Sequence, residues 1–184
     1  MSRSGKMDPR LLNAIRVLAF LFVIGLTVFL YLNRSKVQQL GVFGYPGIFL
    51  VSLISNASII LPIPGVLFTS AMGAVFNPWW VALAAGSGAT VGELSGYMAG
   101  FSGQGIVENR EWYDRVAQWI KRYGDITIFV LALIPNPLFD IGGMVAGALR
   151  MPLWRFMLWC WLGKIGKMLI FAFGGFSILK IFGL

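Results

Sequence analysis

The residues of this chain that could do chemistry are a few ionisable side chains within long apolar segments. Glu93 and Asp140 are the acids of this kind, and Lys164 and Lys167 lie three residues apart in the last apolar segment. A charged group at the centre of a membrane span costs at least about 2.5–3.5 kcal/mol on insertion scales, so it is retained mainly where it has a role. Either acid could carry a proton or serve as a fixed counter-charge for a lysine or arginine.

Other polar residues extend this set. Arg150 and Arg155 lie at a predicted interface, where guanidinium groups could bind phosphate in a bidentate manner or could mark topology and snorkel. Asn56 and Asn136 lie near the points where apolar segments are interrupted. The sequence therefore predicts a substrate or ion pathway with these lining residues: Glu93, Asp140, Arg150, Arg155, Lys164, Lys167, Asn56 and Asn136.

Two pairs of prolines interrupt apolar stretches in the same way. Pro62, Pro64 and Gly65 break the first stretch, and Pro135 and Pro137 break the second. Proline lacks the N–H of a helical hydrogen bond and clashes with the preceding turn. Non-helical backbone at membrane depth is tolerated where it is buried in protein or lines a cavity. We therefore expect two re-entrant helical hairpins, one over 46–76 and one over 126–149.

The composition shows why a membrane protein is expected. Hydrophobic residues make up 58% of the 184-residue chain and charged residues 12%, with a mean hydropathy of +0.78. These values differ from the soluble average of about 45–50% apolar and about 25% charged residues. The composition excludes a large aqueous domain. The net charge of +8 is spread over segment ends, which favours membrane topology signals over nucleic-acid binding.

The inventory of reactive residues argues against an enzyme. The chain has no histidine and a single cysteine, Cys160, so the usual zinc and haem ligand sets are missing. No combination of nucleophile, base and orienting residue is present in the sequence. We therefore expect no metal, no cofactor and no catalytic residue.

The remaining elements follow from apolar periodicity and charge. Residues 1–45 read as a cytoplasmic N-terminus and an uncleaved transmembrane anchor, since bases precede its apolar run. A span over 81–101 carries glycines at four-residue spacing, which predicts close packing of another helix. Apolar residues recur at helical spacing over 106–123, which predicts an amphipathic interfacial helix, and 156–174 form a last span. The helix-packing glycines are Gly88, Gly92, Gly96 and Gly100.

The two proline-containing regions also match each other. Gly73 aligns with Gly147, Pro78 with Pro152, and Gly100 with Gly174. One full crossing separates the hairpins, so they would enter from opposite faces, a design typical of transporters. The prediction is an all-α integral membrane protein with two inverted repeats. Repeat one covers 46–101, an amphipathic linker 102–125, repeat two 126–174 and a tail 175–184, so that 46–184 form one transport domain.

Several motifs resemble one family. The stretch GSGATVGELSGYMAGFSGQG over 86–105, with IPNPLFD over 134–140 and VAGALRMP over 145–152, is similar to the DedA superfamily, also called SNARE-associated or VTT-domain proteins. The resemblance covers about 46–174 and carries over Glu93 and Arg150. It implies two opposed re-entrant hairpins and movement of phospholipid or polyprenyl phosphate between leaflets. The position of Asp140 after the second proline pair is closer to the pattern of the eukaryotic branch. This departure weakens the expectation of proton coupling through the acid pair that is usual in bacterial members.

Two other functions stay open at this point. A proton-coupled or passive carrier of a small ion would use the same charged residues, and a structural membrane factor would bind partners through the glycine face. Membrane lipids, with a phosphate-bearing headgroup, are the expected partners, and the chain could form a homo-oligomer. The expected location is a bacterial plasma membrane, with the N-terminus in the cytoplasm.

Overall fold

The computed structural model describes residues 44–57, 65–103, 110–135 and 138–181, and every element within these ranges is a helix. The anchor predicted over 1–45 lies almost entirely outside the described residues, as do Pro62, Pro64, Asn136 and Pro137. The helices are α1 Gly44–Ala57, α2 Gly65–Val75, α3 Pro78–Gly92, α4 Leu94–Phe101, α5 Arg110–Tyr123, α6 Asp125–Leu133, α7 Leu138–Ala148 and α8 Leu153–Ile181.

Helices stop on both sides of each proline pair. α1 ends at Ala57 and α2 begins at Gly65, so the first pair falls between two helices. α6 ends at Leu133, and Ile134 has extended backbone with φ −81° and ψ 132°. The residue before a proline is pushed towards this extended conformation, because the proline ring clashes with a helical neighbour. The chain resumes as helix at Leu138.

The span predicted over 81–101 is divided at Glu93. α3 ends at Gly92 and α4 begins at Leu94, and Glu93 between them has φ −66° and ψ −13°. Backbone hydrogen bonds continue across this point, since the Glu93 N–H donates to Ala89 and the Tyr97 N–H donates to Glu93. Glycine is a poor helix former, and Gly92 directly precedes the division. The expectation of one uninterrupted helix is therefore corrected to two short helices.

The last helix is long enough to cross a membrane. Leu153–Ser177 is 25 residues with a mean hydropathy of 1.5, and it is the one candidate span within the described residues. About 20 apolar residues suffice to cross roughly 30 Å of hydrocarbon. The span predicted over 156–174 lies inside α8. α8 packs against α2, α3 and α6, so it occupies the middle of the structure.

Helix α5 is amphipathic, as its spacing predicts. It packs against α6 and α7, with Val116 and Ile120 buried and Trp119 and Tyr123 exposed. Part of the apolar face that the sequence assigns to the membrane surface thus faces the protein. The buried part belongs to a cluster with Ile128 and other residues of α4, α6, α7 and α8.

A second apolar cluster lies at the other half of the chain. It contains Ile48 of α1, Met72 of α2 and Val81 of α3, together with Met168 and Ala172 of α8. Helix α8 contributes to both clusters. Burying one such side chain stabilises the fold by about 1.5–3 kcal/mol relative to exposing it. The two clusters therefore hold the halves together through α8.

Contacts of glycines give the relative directions of the helices. A Cβ on Gly88 of α3 would collide with the carbonyl oxygen of Phe49 in α1, and one on Gly92 would meet Leu53 of α1. Contact positions rise together along both helices, so α1 and α3 run in the same direction. The absence of a side chain lets the two backbones approach closely.

The same arrangement recurs between α6 and α8. A Cβ on Gly163 of α8 would collide with the Phe129 carbonyl of α6, and one on Gly166 would meet Leu133. These two helices therefore also run in the same direction.

Helices α3 and α8 run in opposite directions. Gly86 lies against Ile165, and the Thr90 hydroxyl oxygen lies 4.0 Å from the Cys160 sulfur. Contact positions rise in one helix as they fall in the other. This antiparallel pair is the central layer of the fold.

Helices α2 and α8 contact each other through small residues. Thr69 Oγ1 lies 3.4 Å from Met168 Sδ, and a Cβ on Gly73 would collide with the backbone of Ala172. The positions rise together, so α2 runs parallel to α8. A Cβ on Gly175 would collide with Ser70, whereas Gly174 has open space around it.

Helices α4 and α7 form the corresponding contact in the other half. A Cβ on Gly100 would collide with the Met144 carbonyl, and one on Gly147 would collide with the Tyr97 carbonyl. A Cβ on Gly96 would lie 3.9 Å from the Asp140 carbonyl oxygen. The positions of Gly96 and Gly100 rise with those of their partners, so α4 and α7 run in parallel.

Candidate functional site

A buried ion pair lies at the centre of the molecule. Lys164 Nζ donates to Glu93 Oε1 at 2.5 Å, and the two side chains are only 3% and 4% exposed. Lys164 lies in the middle of α8, and Glu93 lies at the division between α3 and α4. Removing two charges from water is expensive, and their mutual attraction compensates only when the geometry is good and further hydrogen bonds are made.

The ammonium group of Lys164 has two further partners. It donates to Asn56 Oδ1 at 2.9 Å and lies 4.5 Å from the centroid of the Phe139 ring. Asn56 is the second-last residue of α1, and Phe139 is the second residue of α7. Because each of these helices borders a proline pair, the segments next to both breaks meet at one lysine.

Close helix packing brings these side chains together. A Cβ on Gly92 would lie 2.8 Å from Ala57 N and 3.0 Å from Asn56 C, so only glycine allows the end of α1 to approach the division at Glu93. Gly163, next to Lys164, lies against Phe129 and Ala132 of α6. The glycines therefore place the lysine between the two halves.

Asp140 and Lys167 lie beside the buried pair. Both are close enough to interact electrostatically with Glu93, yet Asp140 is exposed and Lys167 is half-buried. Asp140 makes no ion pair with any described residue. The charged groups therefore continue from the buried Lys164–Glu93 pair towards the surface. We name Asn56, Glu93, Phe139, Asp140, Lys164 and Lys167 the central polar cluster.

The arginines that the sequence places on the same pathway lie elsewhere. Arg155 pairs with Asp125 at the start of α6, with Nη2 2.7 Å and Nε 2.9 Å from Oδ2. Arg150 is exposed, and its guanidinium lies 6.0 Å from the Phe101 ring centroid. Among the possible counter-charges for Glu93, the structure selects Lys164. Asn136 lies outside the described residues.

The four glycines of α3 and α4 face two partners. Gly88 and Gly92 lie against α1, whereas Gly100, and more loosely Gly96, lie against α7. The sequence predicts one packing partner along a continuous groove. Helix α1 contacts the two glycines before Glu93 and α7 contacts the two after it, so each half of the chain supplies one partner.

Two partners of the predicted site residues were not singled out from the sequence. Phe139 is one of many apolar residues, and only the fold places its ring under an ammonium group. Asp125 begins α6, but its partner Arg155 lies 30 residues away. A signal for Asp125 was its place at a helix N-terminus, where an acid is favourable. No local signal marks Phe139.

Chemically, the cluster can attract or hold a charged group inside an apolar protein. The ammonium groups of Lys164 and Lys167 could pair with a phosphate, and the carboxylates could bind a cation or proton. Within the described residues no group of three or more histidine, cysteine, aspartate or glutamate side chains could hold a metal ion. The contacts of Lys164 within the cluster are an ion pair with Glu93, a hydrogen bond to Asn56 and a cation–π contact with Phe139.

Comparison with known proteins places the chain in a family. The VTT domain matches residues 63–177, which is more than half of the chain. Vacuole membrane protein KMS2 of Arabidopsis thaliana is 34% identical over 91 residues, 47% of this chain and 21% of that protein. Vacuole membrane protein KMS1 is 38% identical over 55 residues, 28% of this chain and 13% of that protein.

The chain thus matches about a fifth or less of each relative's length. No solved structure gives a significant match. The family match and the membrane relatives agree with the apolar composition and with the long helix α8. From these observations, the chain belongs to the VTT-domain proteins, the DedA/SNARE-associated family of membrane proteins.

Proposed function

We propose that this protein moves a phosphate-bearing lipid between membrane leaflets, as a scramblase or a polyprenyl-phosphate flippase. The observation that carries this proposal is the contact of Lys164 with Glu93, Asn56 and Phe139, which joins residues beside both proline breaks in one charged cluster. Charged groups inside a membrane protein usually line a substrate or ion path. The lysines would pair with the phosphate while the acyl chains remain in lipid.

Inverted repeats would explain why both breaks meet at one point. Residues 74 or 75 positions apart exchange roles in the helix contacts. The equivalent contacts are Gly73 on Ala172 with Gly147 on Tyr97, and Gly175 on Ser70 with Gly100 on Met144. By these contacts Gly175, rather than Gly174, corresponds to Gly100. The repetition supports two structurally equivalent halves.

The helix directions support re-entrant hairpins. α3 and α8 are equivalent helices that run in opposite directions, which is the mark of an inverted pair. α1 runs parallel to α3, and α2 runs parallel to α8, so α1 and α2 run in opposite directions around the first proline pair. By the same reasoning α6 and α7 reverse around the second. Two hairpin tips would then meet at Lys164, near the middle of the membrane.

The proposed cycle needs no covalent step. A headgroup would enter beside Asp140 and Lys167, which lie at the outer part of the cluster, and would then reach Lys164 in competition with Glu93. Release of Lys164 from Glu93 would loosen the contact between the two tips. The protein would act without an enzyme's machinery and without a metal or cofactor.

The relatives support a membrane location. Their names describe vacuole membrane proteins, and we propose that this chain also works inside a membrane, with its N-terminus in the cytoplasm. A bacterial plasma membrane is the location we favour. Residues 1–45 would then add a transmembrane anchor to the 46–184 domain.

A liposome assay tests the proposal. Purified full-length protein is reconstituted with a trace of fluorescent phospholipid, and an external reductant then quenches the label in the outer leaflet. With active protein, we expect quenching to continue beyond the outer-leaflet half, whereas empty vesicles should stop there. Several headgroups and polyprenyl phosphate are compared, with and without a pH gradient.

Matched variants test whether the rate of lipid exchange depends on the central polar cluster. Lys167→Gln and Asp140→Asn remove one charge each and should slow lipid exchange at least tenfold. Arg115→Gln removes an exposed charge that pairs with Glu111 on α5, and it should exchange lipid like the parent. If the parent exchanges no lipid but carries a water-soluble ion down a gradient, the carrier function replaces this proposal. If neither flux occurs, a structural role through partner binding is favoured.

A further inference from the structure

Arg150 has a backbone conformation that arginine rarely adopts. Its φ of 53° lies in the left-handed region, and it is the one non-glycine residue with positive φ within the described ranges. The Arg150 N–H donates to Gly147 at 2.9 Å, and the Met151 N–H donates to Ala146 at 3.0 Å. These two bonds end α7 in a Schellman motif, in which Arg150 occupies the position that glycine usually takes. Glycine there would avoid the steric strain.

The strained residue also forms no ion pair within the described residues. Arg150 forms no ion pair with any described carboxylate, whereas Arg155, five residues later, is paired with Asp125. Its guanidinium lies 6.0 Å from the centroid of the Phe101 ring. Backbone strain that persists tends to mark functional positions. An exposed guanidinium without a described ion pair, on a strained backbone, therefore points to a ligand.

The surroundings indicate what that ligand is. Exposed apolar side chains lie around Arg150 in sequence or contact, namely Phe101, Leu149, Leu153 and Trp154, the last of which is 69% exposed. In a membrane protein such side chains face lipid, and tryptophan is enriched at the level of the headgroups. A guanidinium held beside them meets the phosphate rather than the acyl chains, and it binds phosphate in a bidentate manner.

We propose that Arg150 is a binding site for the phosphate of an anionic phospholipid, at the end of α7 and against Phe101. The site is distinct from the central polar cluster and does not depend on lipid translocation. The Arg150 guanidinium lies over the Phe101 ring at the end of α4, so lipid binding would link the ends of α4 and α7. Arg150 is retained at the expense of local stability because its side chain binds the headgroup.

Thermal unfolding of the full-length protein in detergent tests this site. The probes are short-chain phosphatidylglycerol, phosphatidylcholine of equal chain length, and sodium phosphate at matched ionic strength. We expect phosphatidylglycerol to raise the Tm of the parent more than either of the other two probes does. Arg150→Gly should raise the Tm without lipid by about 2–4 °C, because strain is relieved, and should lose at least half of the phosphatidylglycerol effect.

Two further variants complete the test. Arg122→Gln is the matched control, since Arg122 is exposed and lies 5.3 Å from the Tyr123 ring on regular helix; it should keep the full lipid effect. Arg150→Lys keeps the charge and the strain but not the bidentate geometry, so it should show a reduced effect. The proposal is overturned if Arg150→Gly responds to phosphatidylglycerol like the parent or unfolds at a lower temperature without lipid. It is also overturned if sodium phosphate matches the lipid, or if Arg122→Gln loses as much.

Discussion

Two ion pairs of this protein use similar chemistry in very different surroundings. Glu93 and Lys164 are almost completely buried, whereas Arg155, the cation of the pair with Asp125, is 47% exposed. Both pairs have short N–O distances of 2.5 and 2.7 Å. Asp125 is itself 15% exposed, and water reaches Arg155 far more readily than it reaches Lys164. The distance alone therefore says little about what each pair contributes.

The comparison also separates two roles for charge in a membrane protein. The exposed pair joins the start of α6 to the start of α8 and fits a structural role. The buried pair joins the division between α3 and α4 to the middle of α8, and the segments beside both proline breaks contact it. Exposed pairs typically contribute about 0.2–1 kcal/mol. Breaking a buried pair from one side typically costs about 3–5 kcal/mol.

The largest expected effect comes from removing one charge of the buried pair. Glu93→Gln leaves the Lys164 ammonium without a counter-charge, and we expect the free energy of unfolding to fall by about 3–5 kcal/mol. Chemical denaturation of the protein in detergent, followed by tryptophan fluorescence, measures this change. A loss under 1 kcal/mol would mean that the buried pair behaves like an exposed one, and the contrast would disappear.

Removing both charges should recover most of that loss. Glu93→Gln combined with Lys164→Met replaces an ion pair with a neutral pair of similar size, which is often neutral or stabilising. We expect the double variant to be more stable than Glu93→Gln by at least about 2 kcal/mol, while lipid exchange in liposomes is lost. If exchange persists at the parent rate, the pair has no part in transport.

Loss of the hydrogen bond between Lys164 and Asn56 should lower the stability less than loss of Glu93. Asn56→Ala removes the acceptor at 2.9 Å from the ammonium but leaves Glu93 in place. A hydrogen bond to a charged group contributes about 1.5–3 kcal/mol, so we expect a loss in that range. The same denaturation experiment checks it, with Ser102→Ala, at an exposed helix end, as a control. An Asn56→Ala protein as stable as its control would mean that the hydrogen bond between Lys164 and Asn56 does not stabilise the fold.

Removing the Arg155–Asp125 pair should change the stability only slightly, and the change should depend on salt. Arg155→Gln should lower the free energy of unfolding by about 0.2–1 kcal/mol. The difference from the parent should shrink between low and high salt, because exposed charges are screened over about 10 Å at 0.1 M ionic strength. Denaturation curves at two salt concentrations measure it. An effect as large as that of Glu93→Gln would show that exposure does not govern these pairs.

The smallest effect belongs to the pair within α5. Arg115 and Glu111 are one helical turn apart, and their side chains are 52% and 73% exposed. We expect Arg115→Gln to change the free energy of unfolding by only about 0.3–0.5 kcal/mol. A shift of several degrees in Tm would mean that the Arg115–Glu111 pair contributes as much to stability as the buried Lys164–Glu93 pair, which would contradict the prediction.

The sequence was informative where a signal is local. Proline excludes helix wherever it stands in a segment interior, so Ile134 and Pro135 mark a helix end before any packing is considered. Glu93 and Lys164 stand out because charge is costly in an apolar segment. The amphipathic spacing of α5 predicts a helix with one buried face, and Val116 and Ile120 occupy that face.

The sequence was less informative about which residues, distant along the chain, contact each other in the fold. Four basic residues could have neutralised Glu93, and nothing local distinguishes Lys164 from Lys167, one helical turn away. Arg150 and Arg155 look alike in sequence, but one is paired with Asp125 and the other has a left-handed backbone. The even glycine spacing suggested one packing partner, but two different helices, α1 and α7, contact the glycines before and after Glu93.

By itself, the sequence determined that this is an apolar, helical protein with breaks at two proline pairs and a few costly charges. These properties depend on the backbone chemistry of single residues and on the cost of transferring a charge out of water, which act before the chain folds. Only the tertiary structure decided that the ends of α1 and α7 meet at Lys164. That contact depends on backbones that approach closely at glycines far apart in sequence, and a local pattern cannot encode such distances.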